Sequence, residues 1–312
     1  MTRVAVVDLG TNSTRLLVAD VEDGQVRELD RRLEITRLGE GVDSRHELLP
    51  QAIARVRNVL GDYRRAVATL GAVRTLAFAT SAVRDAENGE AFLGEIEWSY
   101  GFETRLLSGH DEALLTFCGV ASGRDVEPGT IVVDVGGGST ELILGGPKGV
   151  SFHESYDLGC VRLTERFPGD PAGAAKHVRA TLEERVPASV RPLRAIGVAG
   201  TITQLATLDL GLEREEADVV HGHVLSDEAV AGLLDRLAGM TVDEIRAMRG
   251  MHPDRAPVIV AGTVVVLETL RHFGLEALEV SEHDIMHGAA LAAAELPAQV
   301  EGDAPPGAFT CC

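Results

Sequence analysis

A ten-residue pattern occurs twice in this chain, and it restricts the fold more than any other feature. Residues 8–17 read D-L-G-T-N-S-T-R-L-L, and residues 134–143 read D-V-G-G-G-S-T-E-L-I. Asp8 aligns with Asp134, Gly10 with Gly136, Ser13 with Ser139 and Thr14 with Thr140. A valine-rich run precedes each copy, Val4 to Val7 and Ile131 to Val133, and a second apolar run follows. Self-similarity of this kind marks a duplicated architecture. Each copy reads as strand, tight Gly/Ser/Thr turn, strand. Glycine lets a turn adopt positive φ and approach a ligand closely. Successive N–H groups in such a turn form an anion nest, and an acid at the strand end can hold a metal. One hairpin alone is a weak signal, since turn residues are common; two copies in register are a strong one. Two facing hairpins would clamp a phosphate and Mg2+ in a cleft between two similar domains. The copies differ at one chemically important position: Arg15 stands where the second has Glu141.

The rest of the chain alternates strand and helix signals. Ile53, Val56, Leu60, Tyr63 and Val67 lie on one helical face over 51–69. Strands are expected over 73–79, 102–107, 149–156 and 193–198. Helices are expected over 111–121, 171–186, 226–238, 256–271 and 284–295. The segment Arg124 to Gly129 reads as a connector. The pattern predicts an α/β architecture in both halves, with domains over 1–124 and 125–296. The stretch 297–312, rich in Pro, Gly and Ala, predicts a disordered tail.

The net charge of −19 excludes a non-specific nucleic-acid binder, which needs a basic face. It also opposes long-range steering of a polyanionic substrate. Charges beyond ~8–10 Å are largely screened at physiological salt. A locally positive cleft built from Arg15, Arg84, Arg162 and Arg166 is therefore the expectation. No signal peptide and no membrane span are read. Cys118, Cys160, Cys311 and Cys312 form neither a metal knuckle nor a disulfide framework. A reducing, cytoplasmic setting is expected.

Several further segments join the repeat: A-T-S-A-V-R-D-A-E-N-G (79–89), S-G-H-D-E-A (108–113), L-G-C-V-R-L-T-E-R-F (158–167), V-A-G-T-I-T (198–203) and V-H-G-H-V-L-S (220–226). Together they resemble the Ppx/GppA phosphatase family over roughly residues 3–295. The resemblance implies two duplicated ribonuclease H-like domains of the actin, sugar kinase and chaperone ATPase superfamily, in the short form without a helical extension. It assigns the water-activating carboxylate to Glu112, with neighbouring Asp111 as the fallback. On local sequence alone, Glu112 would read as a solvated helix-start acid. It assigns Asp134 and Glu141 to a metal, Mg2+ or Mn2+, held by few carboxylates plus substrate phosphate. Arg84 resembles the family's phosphate-contacting arginine; an ordinary surface pair with Asp85 is the bland alternative. Asn12, Ser13, Thr14, Arg15, Gly136, Gly137, Gly138 and Ser139 would bind phosphate. Gly200 and Thr201 would open a helix whose N-terminus accepts an anion. His221 and His223, one residue apart, would share a strand face. They lack an evident third metal ligand, so a substrate-side or structural role is expected.

The activity so implied is hydrolysis of a terminal phosphoanhydride of polyphosphate, with pppGpp 5′-phosphohydrolase as the alternative. Neither nucleic acid nor membrane is an expected partner; a homodimer is. An actin-fold kinase would lack the glutamate of S-G-x-x-E-A. A non-catalytic sensor would be favoured by loss of the acidic residues, and all are present.

Overall fold

The computed structural model describes residues 1–296, so the tail read over 297–312 lies outside the described residues. Two compact units result: residues 1–123 with residues 285–296, and Arg124–Asp284.

The first unit is built from β1 (Thr2–Leu9), β2 (Thr14–Glu22), β3 (Gln25–Glu34), α1 (Val42–Arg45), α2 (Pro50–Leu70), β4 (Arg74–Ala79), α3 (Ser81–Arg84), α4 (Gly89–Tyr100), β5 (Glu103–Leu106) and α5 (Gly109–Ser122). The second contains β6 (Thr130–Val135), β7 (Thr140–Gly146), β8 (Gly149–Tyr156), α6 (Cys160–Arg166), α7 (Pro171–Arg185), β9 (Arg194–Val198), α8 (Gly200–Asp209), α9 (Ala217–Val220), β10 (Val224–Ser226), α10 (Asp227–Ala238), α11 (Val242–Arg246), α12 (Ile259–Phe273) and β11 (Ala277–Val280). The last helix, α13 (Ile285–Glu295), returns to the first unit.

The sheets share one plan. The first runs β3-β2-β1-β4-β5, and the second, read from the corresponding edge, β8-β7-β6-β9-β11-β10. In each, the first three strands form an antiparallel meander and the next two join in parallel. This is the duplicated ribonuclease H-like plan. The central strands β1 and β6 are buried along nearly their whole length, which is why they read as unbroken apolar runs.

Helix α2 carries Val56, Leu60, Tyr63 and Val67 into the first core, as its periodicity predicts. Pro50 starts it, and Gly71 ends it at φ 70°. Strand β3 gave no strand signal. Its Arg27, Glu28, Asp30, Arg31 and Arg32 suit a protected sheet edge and hide the alternation.

The second domain read from sequence extends to 296, whereas α13 packs in the first unit. Its Ile285, Met286, Ala289, Ala290 and Ala293 cluster with Val4, Val6, Leu17 and Leu76. Gly288 permits the close crossing with α5, because a Cβ there would lie 1.9 Å from the Leu115 carbonyl oxygen. Which sheet an apolar helix covers is decided by packing over long sequence separation, and local pattern carries no trace of it.

Candidate active site

In the first unit, the turn between β1 and β2 closes with Gly10 N–H donating to the Ser13 carbonyl at 3.0 Å. Asp8 and Arg15 are register partners across the hairpin, and Arg15 Nη2 lies 2.7 Å from Asp8 Oδ2. The chain after β3 braces the turn from behind. Arg37 N–H donates to Asn12 O and Gly39 N–H to Thr11 O, both at 2.8 Å. Gly39 is required here, since a Cβ would meet Thr11 Cγ2 at 2.3 Å. The Thr11 hydroxyl meets Ser81 Oγ at 2.9 Å and ties the turn to α3.

Helix α3 ends in Arg84. Its Nη1 donates to Glu112 Oε1 at 2.5 Å and to the Leu107 carbonyl at 2.8 Å. The surface pairing with Asp85 is thus not the contact that holds Arg84. Helix α5 separates its two adjacent acids sharply. Asp111 completes a capping box with Ser108, whose side-chain hydroxyl holds the Asp111 carboxyl below its ordinary pKa. Glu112, one residue on, is 5% exposed and faces Arg84. The fallback Asp111 is therefore engaged with the N-cap Ser108, and Glu112 is not the solvated acid its local sequence suggests.

The second unit repeats the closing hydrogen bond of this turn. Gly136 N–H donates to Ser139 O at 3.0 Å, and Asp134 stands opposite Glu141. The brace comes from L-G-C-V (158–161), the structural counterpart of T-R-L-G (36–39). Gly159 N–H donates to Gly138 O at 3.3 Å, Cys160 N–H to Gly136 O at 3.0 Å and Val161 N–H to Gly137 O at 2.8 Å. Thr140 Oγ1 donates to Leu158 O at 3.0 Å, matching the Thr14–Thr36 hydroxyl pair of the first unit. All three glycine carbonyls are thereby consumed behind the turn, and among the described residues no carbonyl takes the Gly137 or Gly138 N–H. Those donors suit an anion nest. The equivalence of 36–39 and 158–161 escaped sequence reading because it lies in backbone hydrogen bonds, which leave little signature in residue type.

Asp134 and Glu141 are both buried, and Ser155 Oγ donates to Glu141 Oε1 at 2.7 Å. Two carboxylates on neighbouring strands fit a hard cation that takes its remaining ligands from water and substrate phosphate. Among the described residues no group of three or more His, Cys, Asp and Glu gathers as a metal cage. Of the arginines expected to be positive toward substrate, Arg15 pairs with Asp8, and the buried Arg162 donates from Nε to Gly138 O at 2.7 Å. Both brace the turns.

Gly200 and Thr201 start α8 directly after β9, as expected. Ala199, which caps the helix, sits at φ 72°, ψ 169°. That region is essentially restricted to glycine and costs about 1–3 kcal/mol. His221 and His223 do not share a strand face: they flank Gly222 in the turn before β10. His223 Nε2 meets Asp209 Oδ2 at 2.7 Å, while His221 stacks on His283. Their partners differ because Gly222, at φ 80°, turns the chain between them.

With this geometry in place, comparison with known proteins is decisive. The Ppx/GppA phosphatase family model matches residues 17–295. The chain belongs to the Ppx/GppA phosphatase family. It is 38% identical to Exopolyphosphatase 2 of Mycobacterium tuberculosis over 94% of this chain and 99% of that protein. A solved exopolyphosphatase-like protein shares 33% identity at a TM-score of 0.86, covering 93% of this chain and 97% of the other. The Aquifex aeolicus Ppx/GppA family member shares 30% identity at a TM-score of 0.79, covering 93% and 97%. As a Ppx/GppA chain, it presents the family's duplicated turns and the glutamate of S-G-x-x-E-A in an ordered, buried setting.

Proposed function

We propose that this protein is an exopolyphosphatase, which hydrolyses the terminal phosphoanhydride of inorganic polyphosphate. The Arg84–Glu112 pair, with its carboxylate buried and its guanidinium half-buried, carries the reading, in a chain so similar to a named exopolyphosphatase. Glu112 accepts a proton from water as the water oxygen attacks the terminal phosphorus. The bridging P–O bond breaks, inorganic phosphate leaves, and the shortened chain keeps the bridging oxygen. Arg84 fixes the Glu112 carboxylate and offers guanidinium hydrogens to phosphate oxygens. The N–H groups of Asn12 to Thr14 and of Gly137 to Ser139 hold phosphate oxygens, as do those of Gly200 and Thr201 at the start of α8. Asp134 and Glu141 would hold Mg2+ or Mn2+, which when bound neutralises charge on the phosphates. Catalysis of this kind is mostly positioning and charge stabilisation, which suits a site of backbone donors held by rigid braces.

Among the described residues no helix is long and apolar enough to cross a membrane. A cytoplasmic location, expected from the cysteine pattern, and a homodimer, implied by the family resemblance, complete the proposal.

The deciding experiment is phosphate release with Mg2+ from short-chain polyphosphate, long-chain polyphosphate, pppGpp and ATP at equal terminal-phosphate concentration. Fastest release from polyphosphate is the expected result. Preference for pppGpp would make the protein an alarmone phosphatase. Release from none of the four would overturn the hydrolase reading.

A further inference from the structure

Arg255 has no role in the reading above, yet it is an arginine only 7% exposed, seated against the strained start of α8. Its Nη1 donates to the Gly200 carbonyl at 2.8 Å and to Glu215 Oε2 at 2.8 Å. The same Glu215 oxygen accepts from Thr203 Oγ1 at 2.8 Å, so Glu215 joins Arg255 to the first turn of the helix. The segment carrying Arg255 is itself anchored to α8. Gln204 Nε2 donates to Gly250 O at 2.8 Å, and His252 N–H donates to Gln204 Oε1 at 2.9 Å. The guanidinium packs so closely on Gly200 that a Cβ there would lie 2.7 Å from Arg255 Nη2 and displace it. On the other side, Gly262 of α12 packs so closely that a Cβ would meet Thr201 Cγ2 at 2.6 Å.

Strained backbone persists only where its surroundings over-determine it. Here the surroundings are identifiable. The Gly200 carbonyl is held from one side by a guanidinium, and the Ala199 carbonyl receives the N–H groups of Ile202 and Thr203 at 3.0 and 3.2 Å. The Ala199–Gly200 and Gly200–Thr201 peptides are thus each held through their carbonyl, and because a peptide is planar this fixes the direction of the Gly200 and Thr201 N–H groups. A buried arginine spends its donors on a carbonyl and a fixed carboxylate, a geometry that orients backbone.

We infer that Arg255, locked by Glu215, is a positioning residue that holds the Ala199–Thr201 backbone in its phosphate-binding conformation. The inference rests on the reading of Gly200 and Thr201 as phosphate donors. It implies that the cost of losing Arg255 is conformational, and that a residue tolerant of the Ala199 backbone angles offsets it.

The test compares Arg255→Ala, Arg255→Lys, Glu215→Gln and the double variant Arg255→Ala/Ala199→Gly, with thermal unfolding confirming each fold. Tripolyphosphate is the substrate, and amide hydrogen exchange over 199–203 is the second readout. Arg255→Ala is expected to lower kcat/KM about 10²-fold, the scale of a misplacement near 1 Å, and to speed exchange. The double variant is expected to recover at least about tenfold of that loss, because glycine adopts the required φ without the clamp. Arg255→Lys and Glu215→Gln fall between wild type and Arg255→Ala, and serve if the alanine variant does not fold. No recovery in the double variant, with the fold intact, overturns the inference and makes Arg255 a direct ligand or a mere fold element. Should the wild type release no phosphate, the proposed function fails separately. Exchange alone then decides: faster exchange in Arg255→Ala supports the clamp, and unchanged exchange overturns it.

Discussion

Arg84 Nη1 lies 2.5 Å from Glu112 Oε1, joining the end of α3 to the first turn of α5. Glu112 is 5% exposed while the Arg84 side chain is 30% exposed, so the pair is part-buried, and removing Arg84 takes a charge-assisted hydrogen bond from a buried carboxylate. Glu112→Gln keeps the shape and a hydrogen-bond acceptor. It is expected to fold and to lose about 10²–10⁴-fold in kcat, the share of a general base. Arg84→Ala is expected to cost about 1–3 kcal/mol of stability as well as activity. Denaturant unfolding and phosphate-release kinetics on the two variants separate these effects. Unchanged turnover in a folded Glu112→Gln protein would remove Glu112 from its role.

The glycine turns make a contrasting pair of expectations. A Cβ at Gly159 would lie 2.2 Å from the Gly137 carbonyl oxygen. Gly159→Ala must therefore displace the β6–β7 turn, with an expected loss of about 1–3 kcal/mol and of most activity. Gly61 sits inside α2 with nothing within 4 Å of its built Cβ. Gly61→Ala is expected to gain about 0.5–1 kcal/mol with activity intact. Equal behaviour of the two in thermal unfolding would contradict the close-approach argument.

Ser155 offers a test of metal placement that leaves both carboxylates untouched. Its hydroxyl donates to Glu141 Oε1 at 2.7 Å. Partners of metal ligands tune affinity about 10–100-fold. Ser155→Ala is expected to raise the Mg2+ concentration for half-maximal activity by about tenfold, with little change in kcat at saturating Mg2+. A Mg2+ titration that superposes on wild type would argue against Glu141 as a ligand.

Tyr63 links α2 to the start of β2 beside the first turn, its hydroxyl donating to the Thr14 carbonyl at 2.9 Å. Burial raises its phenol pKa well above the ordinary value. The folded state then keeps the proton at a pH where the unfolded chain, with its phenol near pKa ~10, releases it. Stability is full below pH ~10 and falls as pH rises further. Tyr63→Phe is expected to be less stable at neutral pH by about 1 kcal/mol. It is also expected to lose stability less steeply between pH 10 and 11, by roughly one proton's share of the slope. Parallel slopes for wild type and variant would rule out Tyr63 as a contributor.

Much of this was legible in the chain because it is local. The hairpins around Asp8 and Asp134 announce themselves through residue types that only a tight turn between buried strands requires. The register partners Asp8–Arg15 and Asp134–Glu141 follow from that turn length. Strand β3 was not legible, since charges on a sheet edge mask its alternation. Neither was the divergence of Asp111 and Glu112, adjacent acids whose environments differ only because α3 approaches one of them.

The sequence by itself thus determined a duplicated α/β chain with two phosphate-type turns, and its motif order pointed to the family. Tertiary structure decided the rest. It returned α13 to the first sheet, set 36–39 and 158–161 as equivalent braces, paired Arg15 and Arg162 with protein groups, and placed Arg255 on the Gly200 carbonyl. The physical reason is common to all four. A turn or a helix face is specified by neighbours in the chain, whereas the partner of a helix, a carbonyl or a guanidinium is chosen by close packing among segments far apart in sequence.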